Sequence, residues 1–141
     1  MKSHHHDLKQ ICEQFGMHTL YAFGSRAKKI RNFVKGRQDA LPLSSSDVDI
    51  GVRALLGGKF SITEKVDLAL ALEDLFGYKR VDLVSLSEVD PFLAAEVIRG
   101  ERLFTHNAHE ADEYELFVLR RAGDLAPLER ERMALVLGES T

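Results

Sequence analysis

Apolar positions recur along the chain with two alternating periods, and each change of period marks an element. Leu8, Ile11, Cys12 and Phe15 form a helical stripe that stops at Gly16, predicting a helix over 5–16. Thr19–Phe23 reads as a short strand ended by Gly24-Ser25. From Arg26 to Val34 the pattern is helical again, with Ala27, Ile30, Phe33 and Val34 on one side and cations on the other. Gly36, Pro42 and three serines make 35–46 a loop. Asp47–Val52 is a strand, followed by a turn over 55–59 at Gly57-Gly58. Ser61 and Glu64 have the spacing of a capping box, and the helix they open carries Ile62, Val66, Ala69, Leu72 and Phe76 on one stripe up to Gly77. Arg80–Leu86 is a β-branched run and a third strand; Pro91 opens a short helix through Arg99 that Gly100 closes; 101–104 is a brief edge strand. Residues 109–137 are helical, with a break expected between Gly123 and Pro127. This α-β-α-β-α-β-α-β-α order predicts an α/β fold, one sheet with helices against it.

The chain has 141 residues, 45% of them hydrophobic and 29% charged, which suits a single domain spanning 1–141 with a real core. Its one cysteine, Cys12, cannot form an internal disulfide, and no Cys/His cluster has zinc spacing. No apolar run is long enough for a bilayer and no signal peptide opens the chain, so a soluble, cytoplasmic protein without membrane association is expected. His4–His6 read as part of a loose end over 1–6, a solvated terminus or a vector remnant. Net charge is −3, but residues 1–46 carry eight Lys/Arg against three Asp/Glu and residues 85–141 carry six against twelve. That asymmetry argues against direct nucleic-acid binding and for a local anion site in the first third.

Three acids carry the candidate chemistry. Asp47 and Asp49 are two apart on a strand, so both face the same way while Val48, Ile50 and Val52 face the other. Two adjacent carboxylates repel, and a divalent cation removes that cost; hard oxygen ligands and an incomplete cage favour Mg²⁺. Asp82 stands in the otherwise apolar Val81-Asp82-Leu83-Val84, where a lone acid is rarely tolerated unless paired or bound to metal. If its strand lies beside that of Asp47 and Asp49, three carboxylates converge, as a two-metal site with ions about 3.5–4 Å apart requires. Asp82 is then the candidate general base.

Gly24-Ser25 supplies an anion cradle, a strand end feeding a helix N-terminus with glycine allowing close approach of a phosphate. Arg26, Lys28, Lys29, Arg31, Lys35 and Arg37 follow without an intervening acid and offer charge for a triphosphate. For most of them a solvated helix face is the plainer account.

Gly24-Ser25-Arg26-Ala27, Ser46-Asp47-Val48-Asp49-Ile50 and Val81-Asp82-Leu83-Val84 together resemble the minimal nucleotidyltransferases of the DNA polymerase β superfamily, and most closely the MNT antitoxins paired with HEPN toxins. The likeness continues through Asp90-Pro91-Phe92-Leu93 and Ile98–Phe104 into the C-terminal helix containing Tyr114, so it covers most of the chain. It implies a mixed, polymerase-palm-like sheet carrying the three acids as catalytic residues and ligands of two Mg²⁺ ions. It also implies ATP as substrate, held by Gly24, Ser25, Arg26 and Ser46, and transfer of AMP to a tyrosine hydroxyl of a partner HEPN ribonuclease toxin. The gap between Ser25 and Asp47 exceeds the family's usual one, which places an insertion within 28–45. Two other readings stand beside this one: a module that neutralises its partner by contact alone, and a small-molecule transferase of the aminoglycoside type. The resemblance leaves room for a homo-oligomer.

Other polar and apolar markers have plain accounts. His18, His106 and His109 lack metal-spaced partners, Cys12 reads as a small buried apolar residue, and Tyr114, Phe117 and Val118 read as core.

Overall fold

A computed structural model describes residues 3–38, 40, 41 and 47–138. Its elements are α1 (His5–Gln14), β1 (Met17–Phe23), α2 (Ala27–Val34), β2 (Val48–Ala54), a 3₁₀ turn (Leu55–Gly57), α3 (Ile62–Phe76), β3 (Val81–Ser85), α4 (Pro91–Ile98), β4 (Glu101–Thr105) and α5 (Ala108–Val136). The four strands form one sheet in the order β3-β2-β1-β4. β2 and β3 are parallel, whereas β1 is antiparallel to both β2 and β4, so the sheet is mixed. The expected order of elements is therefore present, and the strand over 101–105 lies at the sheet edge as anticipated.

Period-two alternation assigns the two faces. Leu20 and Ala22 of β1 with Val48, Ile50 and Val52 of β2 join Leu8, Cys12, Ile30, Leu68, Leu72 and Phe76 in one core beneath α1, α2 and α3. Tyr21 and Phe23 turn the other way and pack with Ala94, Ala95, Val97, Val118 and Ala122 of α4 and α5. Gly51 falls on this second face, where a Cβ would stand 2.3 Å from Val97 Cγ1, so glycine makes room there for the Val97 side chain of α4.

Local chemistry fixes the helix starts. Ser61 and Glu64 form the expected capping box, with Ser61 N–H donating to Glu64 Oε1 at 2.9 Å and Glu64 N–H to Ser61 Oγ at 3.1 Å. Asp90 Oδ1 accepts from the Phe92 and Leu93 N–H groups at 2.9 Å, with Pro91 in the first turn where its missing N–H costs nothing.

Four sequence expectations fail against the structure. The buried stripe of α3 is Leu68, Leu72 and Phe76; Ile62 and Val66, expected alongside, are 81% and 52% exposed. The buried row is offset around the helix from the expected one, leaving 62, 66 and 70 as a second apolar row that faces outward. Helix α5 runs unbroken through Pro127. Gly123, whose carbonyl Pro127 cannot serve as donor, is exposed with open space around it, so neither the missing bond nor the proline ring meets a packed neighbour. Phe117 is half-exposed while Val118 is buried. Near the N-terminus, residues 3–6 are not a loose end: α1 begins at His5, the His4 ring stacks on Phe33 at 4.1 Å, and His4 N–H donates to Val34 C=O at 2.9 Å. Among the described residues, no helix is long and apolar enough to cross a membrane.

Candidate active site

Antiparallel pairing brings the end of β1 to the starts of β2 and β4, and the parallel partner β3 starts at the same edge. The polar residues of that edge make the candidate site. Asp49 and Asp82 are register partners across the β2–β3 ladder, and Phe23 is Asp49's partner across β1–β2. Because Val48 and Ile50 belong to the opposite core, Asp49 projects toward the α4 side. Its carboxyl is held above the usual carboxylate value, first by burial and then by the charges of Asp82, Asp47 and Glu96. The strand of Asp82 thus lies where convergence of the acids requires.

Gly24 closes the edge. Its φ is +76°, and a Cβ there would stand 2.5 Å from Asp49 Oδ2. Glycine is needed twice over, for the left-handed turn and for the close approach of backbone to carboxylate. Gly24 and Ser25 are exposed and open onto a cavity of about 490 Å³ whose wall also includes Lys28, Lys29, Glu96 and Arg99. Anion-attracting backbone, a hydroxyl and three cations therefore stand one glycine away from the acids.

Asp47 lies just before β2 and is ion-paired, with Arg80 Nε 2.9 Å from its Oδ1. Among the described residues, no three His, Cys, Asp or Glu side chains stand as a formed metal cage. What the edge offers a cation is a donor set of hard carboxylate oxygens whose mutual repulsion already shows at Asp49. By donor chemistry that set fits Mg²⁺.

Arg26 is placed differently from an open phosphate ligand. It is 4% exposed, and its guanidinium lies 4.4 Å from the centroid of the Tyr78 ring. Of the other cations in the run, Arg31 pairs with Glu101 at 3.2 Å. Ser46 lies outside the described residues.

Three residues of this edge were not singled out from sequence: Arg80, Glu96 and Arg99. Glu96 had a signal, being the one acid in the apolar run Pro91–Ile98. Arg80 had a weaker one, immediately preceding Val81-Asp82; Arg99 had none, because only the fold carries the end of α4 to Ser25.

The remaining candidates stay apart from this edge. Cys12 is buried, its thiol pushed up to about 12 chiefly by desolvation. His109 is exposed beside Glu113 at 2.8 Å. His18, at the opposite end of β1, is buried and bonded through Nδ1 to Thr19 Oγ1 at 2.6 Å.

Known structures share this architecture. A chain of a mutant MntA–HpeT toxin–antitoxin superposes with a TM-score of 0.71 at 18% identity, over 94% of this chain and 98% of that one. A toxin–antitoxin structure with AMP-PNP gives the same TM-score, identity and coverage. A complex of tri-AMPylated Shewanella oneidensis HEPN toxin with MNT antitoxin matches at TM-score 0.62 and 21% identity, over 94% of this chain and 92% of that one. No curated protein sequence is similar enough to count as a match. The family model described as polymerase beta, nucleotidyltransferase matches residues 6–109, a stretch that contains Gly24, Ser25 and all three acids. The chain belongs to the polymerase β nucleotidyltransferase family.

Proposed function

We propose that this nucleotidyltransferase moves AMP from ATP to a tyrosine hydroxyl of a HEPN ribonuclease toxin, acting in the cytoplasm as that toxin's antitoxin. The observation that carries the reading is the register pairing of Asp49 with Asp82 beside a glycine whose φ is +76° and at which a Cβ would crowd the Asp49 carboxylate. The toxin partner and the nucleotide come from the similar structures, one holding AMP-PNP and one a tri-AMPylated HEPN toxin.

In this reading Asp47, Asp49 and Asp82 hold Mg²⁺, which when bound supplies charge neutralisation for the phosphates and acidifies the attacking hydroxyl. Gly24 and Ser25 cradle the triphosphate, and Lys28, Lys29 and Arg99 around the adjoining cavity balance its charge. Asp82 accepts the proton of the acceptor hydroxyl as its oxygen attacks the α-phosphorus; pyrophosphate leaves from the opposite side. Arg26, packed against Tyr78 next to Ser25, keeps the loop in place rather than ligating phosphate. Positioning and charge neutralisation account for most of the catalysis such a scaffold needs.

The test is incubation of the protein with α-labelled ATP, Mg²⁺ and a co-expressed HEPN protein. Label on the partner that disappears in Asp49→Asn and Asp82→Asn supports the reading. An unlabelled partner that is still neutralised by both variants establishes contact inhibition instead. Label on an aminoglycoside but not on protein establishes small-molecule transfer.

A further inference from the structure

Asp49 is crowded by the like charge of Asp82 and Glu96, whereas Asp47 already has a cation of its own. Val48 N–H donates to Arg80 C=O at 2.7 Å, and Val48 is the register partner of Val81. Asp47 and Arg80 therefore stand abreast, one position before the parallel ladder begins. This backbone bond fixes the base of the arginine side chain, and Nε reaches Asp47 Oδ1 at 2.9 Å. The side chains are 55% and 44% exposed, so the guanidinium can leave without opening any core. A divalent cation bound to Asp47 would share its carboxylate with this guanidinium, which already faces Oδ1, and two cations that close repel.

We infer that Arg80 is a resident counter-cation of Asp47, paired with it until a divalent ion displaces the guanidinium. This rests on the proposed nucleotidyltransferase reading and adds a regulation to the same site. Metal alone has to break the Arg80–Asp47 pair and gains no new partner for the arginine. Metal arriving with a nucleotide brings phosphate oxygens that a displaced guanidinium can meet. Arg80 thereby biases the protein against metal without nucleotide and makes the two bind together.

Mn²⁺ binding to the nucleotide-free protein, followed by the paramagnetic resonance signal of the free ion, tests this without any turnover. Arg80→Gln is expected to bind Mn²⁺ roughly fivefold more tightly than wild type, the worth of one exposed ion pair, while Arg80→Lys stays near wild type. Adding AMP-PNP is expected to tighten Mn²⁺ binding in wild type and to do so less in Arg80→Gln. Equal or weaker Mn²⁺ binding by Arg80→Gln, with binding still lost in Asp49→Asn, overturns the role of Arg80 and leaves the transferase reading intact. Mn²⁺ binding that is absent even with AMP-PNP present, or indifferent to Asp49→Asn in both proteins, overturns the two together.

Discussion

A Cβ on Gly24 would stand 2.5 Å from Oδ2 of Asp49, closer than real Cβ contacts come. The loop and the carboxylate are thus packed against one another, so a side chain at position 24 has to displace the Asp49 carboxylate. Gly24→Ala has to strain a backbone at φ +76° and push Asp49 off its place. Transfer of AMP is expected to fall more than tenfold, with about 1–2 kcal/mol lost from stability by urea unfolding. Activity retained at the wild-type level would show that the Gly24–Asp49 contact plays no part in catalysis.

Asp49 is expected to trade stability for function. Its carboxyl is held above the ordinary value, so the folded state binds that proton more tightly than the unfolded chain does. The penalty is therefore full at neutral pH and shrinks as pH falls through the raised value toward the usual carboxylate range. Asp49→Asn removes it, raising stability at pH 7 by roughly 0.5–1 kcal/mol, or a few degrees in Tm, while abolishing transfer. A variant that melts lower than wild type at pH 7 contradicts the crowding of Asp49 by Asp82, Asp47 and Glu96.

His18 predicts a pH dependence of the opposite sign. It is 4% exposed, and its Nε2 has no hydrogen-bond partner, Glu110 Oε1 being 3.8 Å away and too far for one. Burial lowers its pKa first, with Arg53 and His106 adding to the effect and Glu110 opposing it. The unfolded chain therefore takes up this proton at a higher pH than the folded one, and stability is lost as pH falls through about 6.5. Thermal melts between pH 7.5 and 5.5 are expected to show a slope of up to about 1.4 kcal/mol per pH unit that flattens in His18→Gln. An unchanged slope in that variant would assign the acid sensitivity elsewhere.

The sequence made the strands and their order of appearance legible because β-branched runs between Gly and Pro breakers admit few other readings. It could not show that β3 joins β2 rather than another strand, and that one pairing is what puts Asp82 beside Asp49. Nor could it divide the cations from Arg26 to Arg37. Arg26 is buried against Tyr78, Lys28 and Lys29 line the cavity at Ser25, and Arg31 reaches Glu101, because each faces a different neighbour around α2. Arg80 was hidden for the same reason: its partner Asp47 is remote in sequence and adjacent only across the parallel ladder. The stripe of α3 was misread by a fraction of a turn, since two apolar rows run along that helix and periodicity does not say which one the sheet covers.

Helix α5 outruns the body it packs on, and its far half should behave accordingly. Its buried residues are Ala111, Val118 and Ala122, whereas Leu128, Leu135 and Val136 are 63%, 72% and 66% exposed. Among the described residues none beyond Ala122 is buried, so the last turns lack the tertiary packing that supplies most helical stability, and isolated helical segments of this length are marginal in water. Pro127 removes one more hydrogen bond at the boundary. Amides of 128–136 are therefore expected to exchange with solvent at least a hundredfold faster than those of 112–122. A chain ending at Pro127 should melt within about 2 °C of the full one, since it loses no buried side chain. Slow exchange across 128–136 in the isolated protein would mean that this apolar row is covered in solution, and a size measurement on the same sample would then show whether a second copy of the chain covers it.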